Sequence, residues 1–209
     1  PDEIEARLLR VARTRQQALR VTLEELAAFY RDTGRVEAFE RCLDRLVDLH
    51  EDANRQSGLL VKLGVTAELR EDWEAAIRYY TRSLAADPTD SKLAYFTHNN
   101  LGYSLNQLGD WKRAESYCRS ALHLNRERHN AHKNLGLSLC GQGRYLEAAH
   151  SFIIATERQP GDRRALAHLK DMICEHPDAF NGSPGLLARA HELGEEQEGS
   201  KGSEGWMVE

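Results

Sequence analysis

The chain has 209 residues, of which 41% are hydrophobic and 29% charged, and its formal net charge at pH 7 is −5. This length suits one ordinary domain or two small ones, and the balance of apolar and charged residues argues against wholesale disorder. A mildly acidic chain without a basic run is not expected to bind nucleic acid, and no stretch approaches the ~20 apolar residues that membrane insertion requires.

The N-terminal residues 1–20 predict an amphipathic helix. Its apolar positions include Ile4, Leu8, Leu9, Val11 and Leu19. No apolar signal segment precedes them, and because the chain starts at Pro1 rather than Met, we expect a trimmed form that could have lost an upstream targeting segment. Residues 21–56 follow, with Gly34 marking a turn between two apolar segments.

A repeated pattern runs through residues 57–160. Each of three units has a Leu-Gly pair, a turn eight residues after that leucine, then an aromatic residue followed three positions later by alanine. The pairs are Leu63-Gly64, Leu101-Gly102 and Leu135-Gly136, and the aromatic and alanine positions are Trp73/Ala76, Trp111/Ala114 and Tyr145/Ala148. The pattern predicts two antiparallel helices per unit, with small residues where the helices approach closely.

The C-terminal part changes in character after Pro160. Residues 163–175 predict a single closing helix, and Leu186 to Leu193 allow a short one. Residues 181–209 hold six acidic and two basic side chains. Because the stretch from Gly194 to Gly205 is rich in Gly, Ser and Glu, we expect a flexible acidic tail.

Over residues 57–160 the repeated pattern resembles the tetratricopeptide repeat. The shared features are the Leu-Gly pair, the turn, the aromatic residue, the alanine and the closing Pro88 or Pro160. Residues 21–56 resemble a divergent copy in which Phe39 replaces the alanine. The resemblance implies an all-α fold, a right-handed α-solenoid of antiparallel helix pairs. It also implies capping helices at 1–20 and 161–179, with the acidic tail at 180–209.

The same resemblance implies a concave groove lined by the first helix of each pair, which holds a peptide or partner segment. The groove residues expected by position are Lys62, Asn99, Asn100, Tyr103, Asn106, Gln107, Asn130, Lys133, Asn134 and Leu137. Asparagines in successive units could clamp a peptide backbone, or they could be bonded within the array.

Some members of this family hold a C-terminal carboxylate with a set of Lys, Asn and Arg side chains. Here Val61 and Val65 stand where Lys and Asn would be needed, and Asn134 replaces the Arg. Lys62 and Lys133 remain as carboxylate contacts, but the full set is absent, so chaperone tails are not the expected ligand.

No pattern in the chain points to catalysis, a cofactor or a metal. The nine histidines include no helical His-x-x-x-His pair, and His98 and His132 recur at one repeat position, which favours packing. Gly141-Gln142-Gly143 is read as an inter-helix turn rather than a phosphate loop. The four cysteines are far apart without a Cys-x-x-Cys pair, which favours a reducing, cytoplasmic location.

The chain's last residues, Trp206, Met207, Val208 and Glu209, form an apolar patch after the acidic stretch. We treat them as a candidate ligand for the groove of the same or another copy. The function predicted from the sequence is a non-catalytic scaffold that binds a protein or peptide. Two alternatives stay open: a self-assembly module that forms homo-oligomers, and the regulatory part of a longer enzyme.

Overall fold

The computed structural model describes residues 2–203, and over this range it contains ten α-helices, one short 3₁₀ helix and no strand. The helices are α1 (Asp2–Asp32), α2 (Val36–Leu49), α3 (Ala53–Leu69), α4 (Trp73–Ala85), α5 (Ser91–Gln107), α6 (Trp111–Leu124), α7 (His129–Gly141), α8 (Tyr145–Arg158), α9 (Arg164–Glu175) and α10 (Pro184–Ser203), with the 3₁₀ helix at Pro177–Phe180. The predicted all-α fold of helix pairs is confirmed.

The helices form two compact units, residues 1–97 and 98–209, and the division falls inside α5. In unit 1, α1 packs on α2, α2 on α3 and α3 on α4. The core of this unit is aliphatic, with Leu43, Leu46, Leu60 and Leu63 all almost fully buried. Because each hairpin has one apolar face, stacking the hairpins is what creates this core.

The helix starts and turns follow directly from the repeated sequence. Asp72 and Asp110 cap α4 and α6 by accepting hydrogen bonds from the backbone N–H groups of the third residue beyond, at 3.0 and 3.3 Å. Gly109 and Gly143 have φ near +75°, the left-handed conformation that glycine adopts without strain. In the first strong unit the same position is Glu71, with φ +58°.

The glycine of each Leu-Gly pair lies where two helices touch. A Cβ atom built on Gly64 would lie 2.4 Å from Tyr80, one on Gly102 2.7 Å from Cys118 Sγ, and one on Gly136 2.6 Å from Phe152. Ordinary contacts between carbon atoms are about 3.5–4.0 Å, so a larger residue at these positions would force the neighbouring side chain or helix to shift. The predicted close approach of the paired helices is therefore confirmed.

The N-terminal segment differs from its predicted division into a capping helix at 1–20 and a separate unit from 21. The structure has a single helix from Asp2 to Asp32. No glycine or proline interrupts these residues, so nothing in the local sequence ends the helix near residue 20. Ile4, Leu8 and Leu9 are more than half exposed and do not cover the end of the core.

The C-terminal segment also differs from the expected flexible tail. α10 continues past Leu193 to Ser203 and packs on α8 and α9. Leu186, Ala190 and Leu193 are buried in the core of unit 2, and Gln197 Nε2 donates to the Pro160 carbonyl at 2.9 Å. The apolar stripe at helical spacing outweighs the glycines, so α9 is the first helix of a further pair rather than a closing helix.

Candidate functional site

The predicted groove residues fall on the first helices of the pairs, which are α3 in unit 1 and α5 and α7 in unit 2. Lys62 lies alone in unit 1, where it is exposed beside an apolar cleft of about 550 Å³ between α1 and α3. The other nine candidates lie within residues 98–137 of unit 2, on α5 and α7.

Three of the asparagines form a buried hydrogen-bond network instead of an exposed ladder. Asn134 Nδ2 donates to Asn99 Oδ1 at 3.1 Å, and Asn106 Nδ2 donates to the Asn134 carbonyl at 2.8 Å. Ser138 Oγ donates to Asn106 Oδ1 at 2.8 Å. Because these amides are at most 7% exposed, the structure favours bonding within the array over peptide clamping for them.

The accessible candidates surround this network. Gln107 is exposed, while Asn100, Tyr103, Asn130 and Leu137 are half-buried. Asn99 Nδ2 donates to Asn100 Oδ1 at 3.1 Å, so Asn100 is tied to the buried network. These side chains can present amide, hydroxyl and apolar surface to a ligand, as a polypeptide site requires.

Lys133 is the unusual member of the set, because it is a buried cation. The residue is only 7% exposed, and the charges of Arg164 and Asp162 act on its ammonium. Burial lowers the pKa of Lys133, and the nearby charge of Arg164 lowers it further, while Asp162 acts in the opposite direction. Buried lysines are ordinarily paired, so this one marks a site where a negative charge would be stabilised.

The groups around Lys133 come from α9 and the turn before it. Arg164 Nη2 is 2.7 Å and His129 Nε2 3.3 Å from Asp162 Oδ2. The hydrogen bonds and charge of Arg164, and then the charge of Lys133, hold the pKa of Asp162 well below its usual range. The pKa of His168 is lowered by burial and then by Lys133. Asp162 is thus already engaged, and the cluster keeps an excess positive charge.

Arg164 and His168 were not predicted from the sequence as site residues, although the repeat spacing could have identified them. They lie 34 residues after Asn130 and Asn134, which is the spacing between Gly102 and Gly136. The residues were not assigned to a groove because α9 was interpreted as a closing helix. The pairing of α9 with α10 places them at groove positions of one more repeat.

The cysteines, the Gly141–Gly143 turn and His98, which the sequence raised as candidates for chemistry, lie in packing positions or in surroundings that disfavour reactivity. Burial raises the pKa of the Cys118 thiol to about 12, and burial followed by Glu175 raises that of Cys140, which disfavours the reactive thiolate at both. Gly141 ends α7 against the Trp111 ring, and Gly143 forms the turn. His98 lies 5.9 Å from the Tyr117 ring, centroid to centroid.

Residues 2–203 show neither a cluster of metal-binding side chains nor a helix that could span a membrane. No three His, Cys, Asp or Glu side chains in this part of the chain converge to hold a metal ion. Of the helices in residues 2–203, none combines the length and apolar character needed to cross a bilayer. The candidate tail ligand, Trp206 to Glu209, lies outside the described residues.

Comparison with known proteins extends the repeat assignment. Tetratricopeptide repeat models match residues 59–93 and 98–132. Tetratricopeptide repeat protein 7B from Homo sapiens is 34% identical over 99 residues, which are 47% of this chain and 11% of that protein. The chain therefore corresponds to a small fraction of this curated relative's length.

Solved structures with the same fold cover most of the chain. A MamA protein has a TM-score of 0.69 at 18% identity, covering 91% of this chain and 97% of that one. MamA from Desulfovibrio magneticus RS-1 has a TM-score of 0.67 at 17% identity, with 86% and 97% covered. YrrB, described as a TPR protein with an unusual peptide-binding site, has a TM-score of 0.59 at 22% identity, with 80% and 82% covered.

At these identities the structural likeness concerns the fold alone. The fold nevertheless agrees with the matched repeats, with the glycine contacts inside each helix pair and with the 34-residue spacing. The chain therefore contains tetratricopeptide repeats, matched at residues 59–93 and 98–132.

Proposed function

We propose that the chain is a non-catalytic protein-interaction scaffold, and that unit 2 binds a partner segment bearing a carboxylate beside Lys133. The segment lies along α7 between the accessible residues of α5 and α9. The observation that carries this proposal is the burial of Lys133 on α7 near Arg164, which leaves the cluster with an excess of positive charge.

Electrostatics favours an acidic ligand over a neutral or basic one. A buried ammonium without a partner destabilises the fold, whereas a carboxylate at hydrogen-bond distance would compensate it in a medium of low dielectric. Asp162 cannot fully compensate the charge of Lys133, because its oxygens already contact Arg164 and His129. Arg164 is largely exposed and gives the site a second cation.

The neighbouring side chains suit an extended polypeptide rather than a small metabolite. Tyr103 and Leu137 offer half-buried aromatic and aliphatic surface, and Gln107 offers an exposed amide. Backbone amides of an extended segment can pair with such groups while one acidic side chain reaches Lys133. The peptide-binding site named for YrrB supports this use of the fold.

The test compares matched peptides on matched variants. Fluorescently labelled eight-residue peptides with a central Glu, and otherwise identical peptides with Gln, are titrated into the full chain and followed by anisotropy. We expect Glu peptides to bind at least ~10-fold more tightly, since a charged hydrogen bond contributes roughly 1.5–3 kcal/mol. Lys133→Met should remove this preference.

Lys112→Met serves as the control, because Lys112 is an exposed lysine on α6, the second helix of its pair. It should leave the Glu preference unchanged. If Glu and Gln peptides bind alike to the unmodified chain, or if Lys133→Met keeps the preference, the proposed role of Lys133 is wrong.

A further inference from the structure

Unit 1 contains a polar cleft of about 780 Å³ between α1, the loop that joins α2 to α3, and the start of α3. One wall is formed by Arg13, Gln16, Gln17 and Arg20, whose spacing along α1 places them on one face of the helix. Gln16 Nε2 donates to the Leu49 carbonyl at 3.4 Å, so this face lies against the end of α2. The volume of the cleft is in the range of sites that hold small molecules.

Three arginines line the cleft from two sides. Arg13 and Arg20 belong to α1, and Arg55 belongs to the first turn of α3. Gln17 Oε1 accepts a hydrogen bond from Arg20 Nη2, which holds this guanidinium group in place. A guanidinium group presents a planar fork of N–H donors, which matches the oxygens of a phosphate group.

Two carboxylates also belong to the lining, at Glu51 and Asp52. Asp52 Oδ1 accepts a hydrogen bond from the backbone N–H of Arg55 at 2.8 Å and so caps the start of α3. The end of this helix is therefore satisfied by the chain itself, and the guanidinium groups are the anion donors that the cleft offers. Three arginines against two carboxylates give the lining one excess positive charge.

His50 is the buried member of the lining, with only 6% of its surface exposed. Burial lowers the pKa of His50, and the charges of Arg20 and Arg55 lower it further, while Glu24 and Asp52 act in the opposite direction. The charges of α1 and α3 thus act on one imidazole ring between the two walls. An anion beside this ring would be stabilised by the same charges that disfavour its protonation.

We propose that this cleft binds the phosphate group of a small, soluble phosphate ester. The phosphate oxygens accept hydrogen bonds from Arg20 and Arg55, and Arg13 contributes a third positive charge. A phosphate monoester carries a charge of about −1.5 to −2 at pH 7. Protonation of His50 adds one positive charge to the excess of one in the lining, so the site can balance a dianion.

The composition of the walls favours a polar ligand over an acyl chain, because amide and guanidinium groups bind hydroxyl and phosphate oxygens. The cleft lies entirely in unit 1. It is therefore independent of the site proposed on unit 2.

Isothermal titration calorimetry of the full chain with glycerol phosphate tests the proposal, and glycerol is the matched uncharged ligand. Glycerol phosphate should bind at low ionic strength, and glycerol should not. Arg20→Gln combined with Arg55→Gln should weaken binding by at least ~10-fold, because charge-assisted hydrogen bonds are lost. Arg41→Gln, at an exposed arginine of α2 outside the lining, should leave binding unchanged. Far-UV circular dichroism should show that both variants keep their helices.

Proton NMR of the His50 ring separates binding in the cleft from binding elsewhere. Bound phosphate should raise the pKa of His50, because its charge opposes those of Arg20 and Arg55. Lys133→Met should bind glycerol phosphate like the unmodified chain, so this result does not depend on the function proposed for unit 2.

Phosphatidylcholine vesicles with and without a phosphatidylinositol phosphate distinguish a lipid headgroup from a soluble ester. Cosedimentation with the phosphorylated vesicles without binding of glycerol phosphate would assign the cleft to a headgroup and overturn the soluble ligand. The proposal is also overturned if glycerol phosphate does not bind, if the double variant binds it as well as the original chain, or if the pKa of His50 stays unchanged.

Discussion

Gly136→Ala tests the close approach of α7 and α8, which the interpretation of the chain as helix-pair repeats requires. The added Cβ would lie 2.6, 2.7 and 2.9 Å from three ring atoms of Phe152. Ordinary carbon contacts are about 3.5–4.0 Å, so either the ring or α7 must move by about 1 Å. Phe152 is 1% exposed within the core of unit 2 and has no free space.

Two opposing effects determine the magnitude. Overpacking a well-packed core costs about 1–3 kcal/mol, whereas replacing glycine by alanine inside a helix gains up to about 1 kcal/mol. The steric effect dominates because the neighbour is a buried ring and not a flexible chain end. We expect Gly136→Ala to lower the free energy of unfolding by about 1–2 kcal/mol.

Urea unfolding followed by circular dichroism measures this change. Gly185→Ala is the control in the same unit, because a Cβ there meets no atom within 4 Å, and the free energy of unfolding should stay unchanged or rise by up to about 1 kcal/mol. Adding Phe152→Leu to Gly136→Ala should recover part of the loss, since the two sites are coupled. A Gly136→Ala chain as stable as the original would refute the argument.

Three further changes give testable outcomes. Glu71→Gly should raise the free energy of unfolding by about 0.5–1 kcal/mol, because Glu71 has φ +58° where the other units have glycine, and urea unfolding would show it. Desolvation lowers the pKa of the half-buried His98, so the unfolded chain binds a proton more readily and the stability should fall as pH drops below about 6.5. His98→Phe should reduce this fall between pH 7.5 and 5.5, and an unchanged pH dependence would contradict the assignment. Lys133→Met should raise the melting temperature while it removes the preference for Glu peptides, because it deletes a buried charge; a lower melting temperature would show that Lys133 stabilises the fold.

Local patterns in the sequence were sufficient for the helix pairs. The Leu-Gly positions and the turn glycines act over distances of a few residues, and the structure places both as the repeat spacing predicts. Repetition strengthens such signals, because the same pattern would not recur in register in three units by chance. The match to tetratricopeptide repeats follows from the same local signals.

Only part of the candidate site could be predicted from the sequence. Lys133 was identified from its repeat position, but its burial follows from neighbours on α9, and Asn99, Asn106 and Asn134 proved to bond with one another. Arg164 was missed, because a helix partner for α9 was not expected in a stretch rich in glycine and glutamate.

Within residues 57–160, the sequence by itself determined the helix pairs, the turns within them and the positions where two helices must touch. The tertiary structure decided which polar groups are buried, that α10 joins the core, and that the first half of α1 stays uncovered. The physical reason is the distance along the chain over which each kind of interaction acts. Caps, turns and helical periodicity depend on residues within one or two turns, whereas burial and pairing depend on contacts between segments distant in the chain.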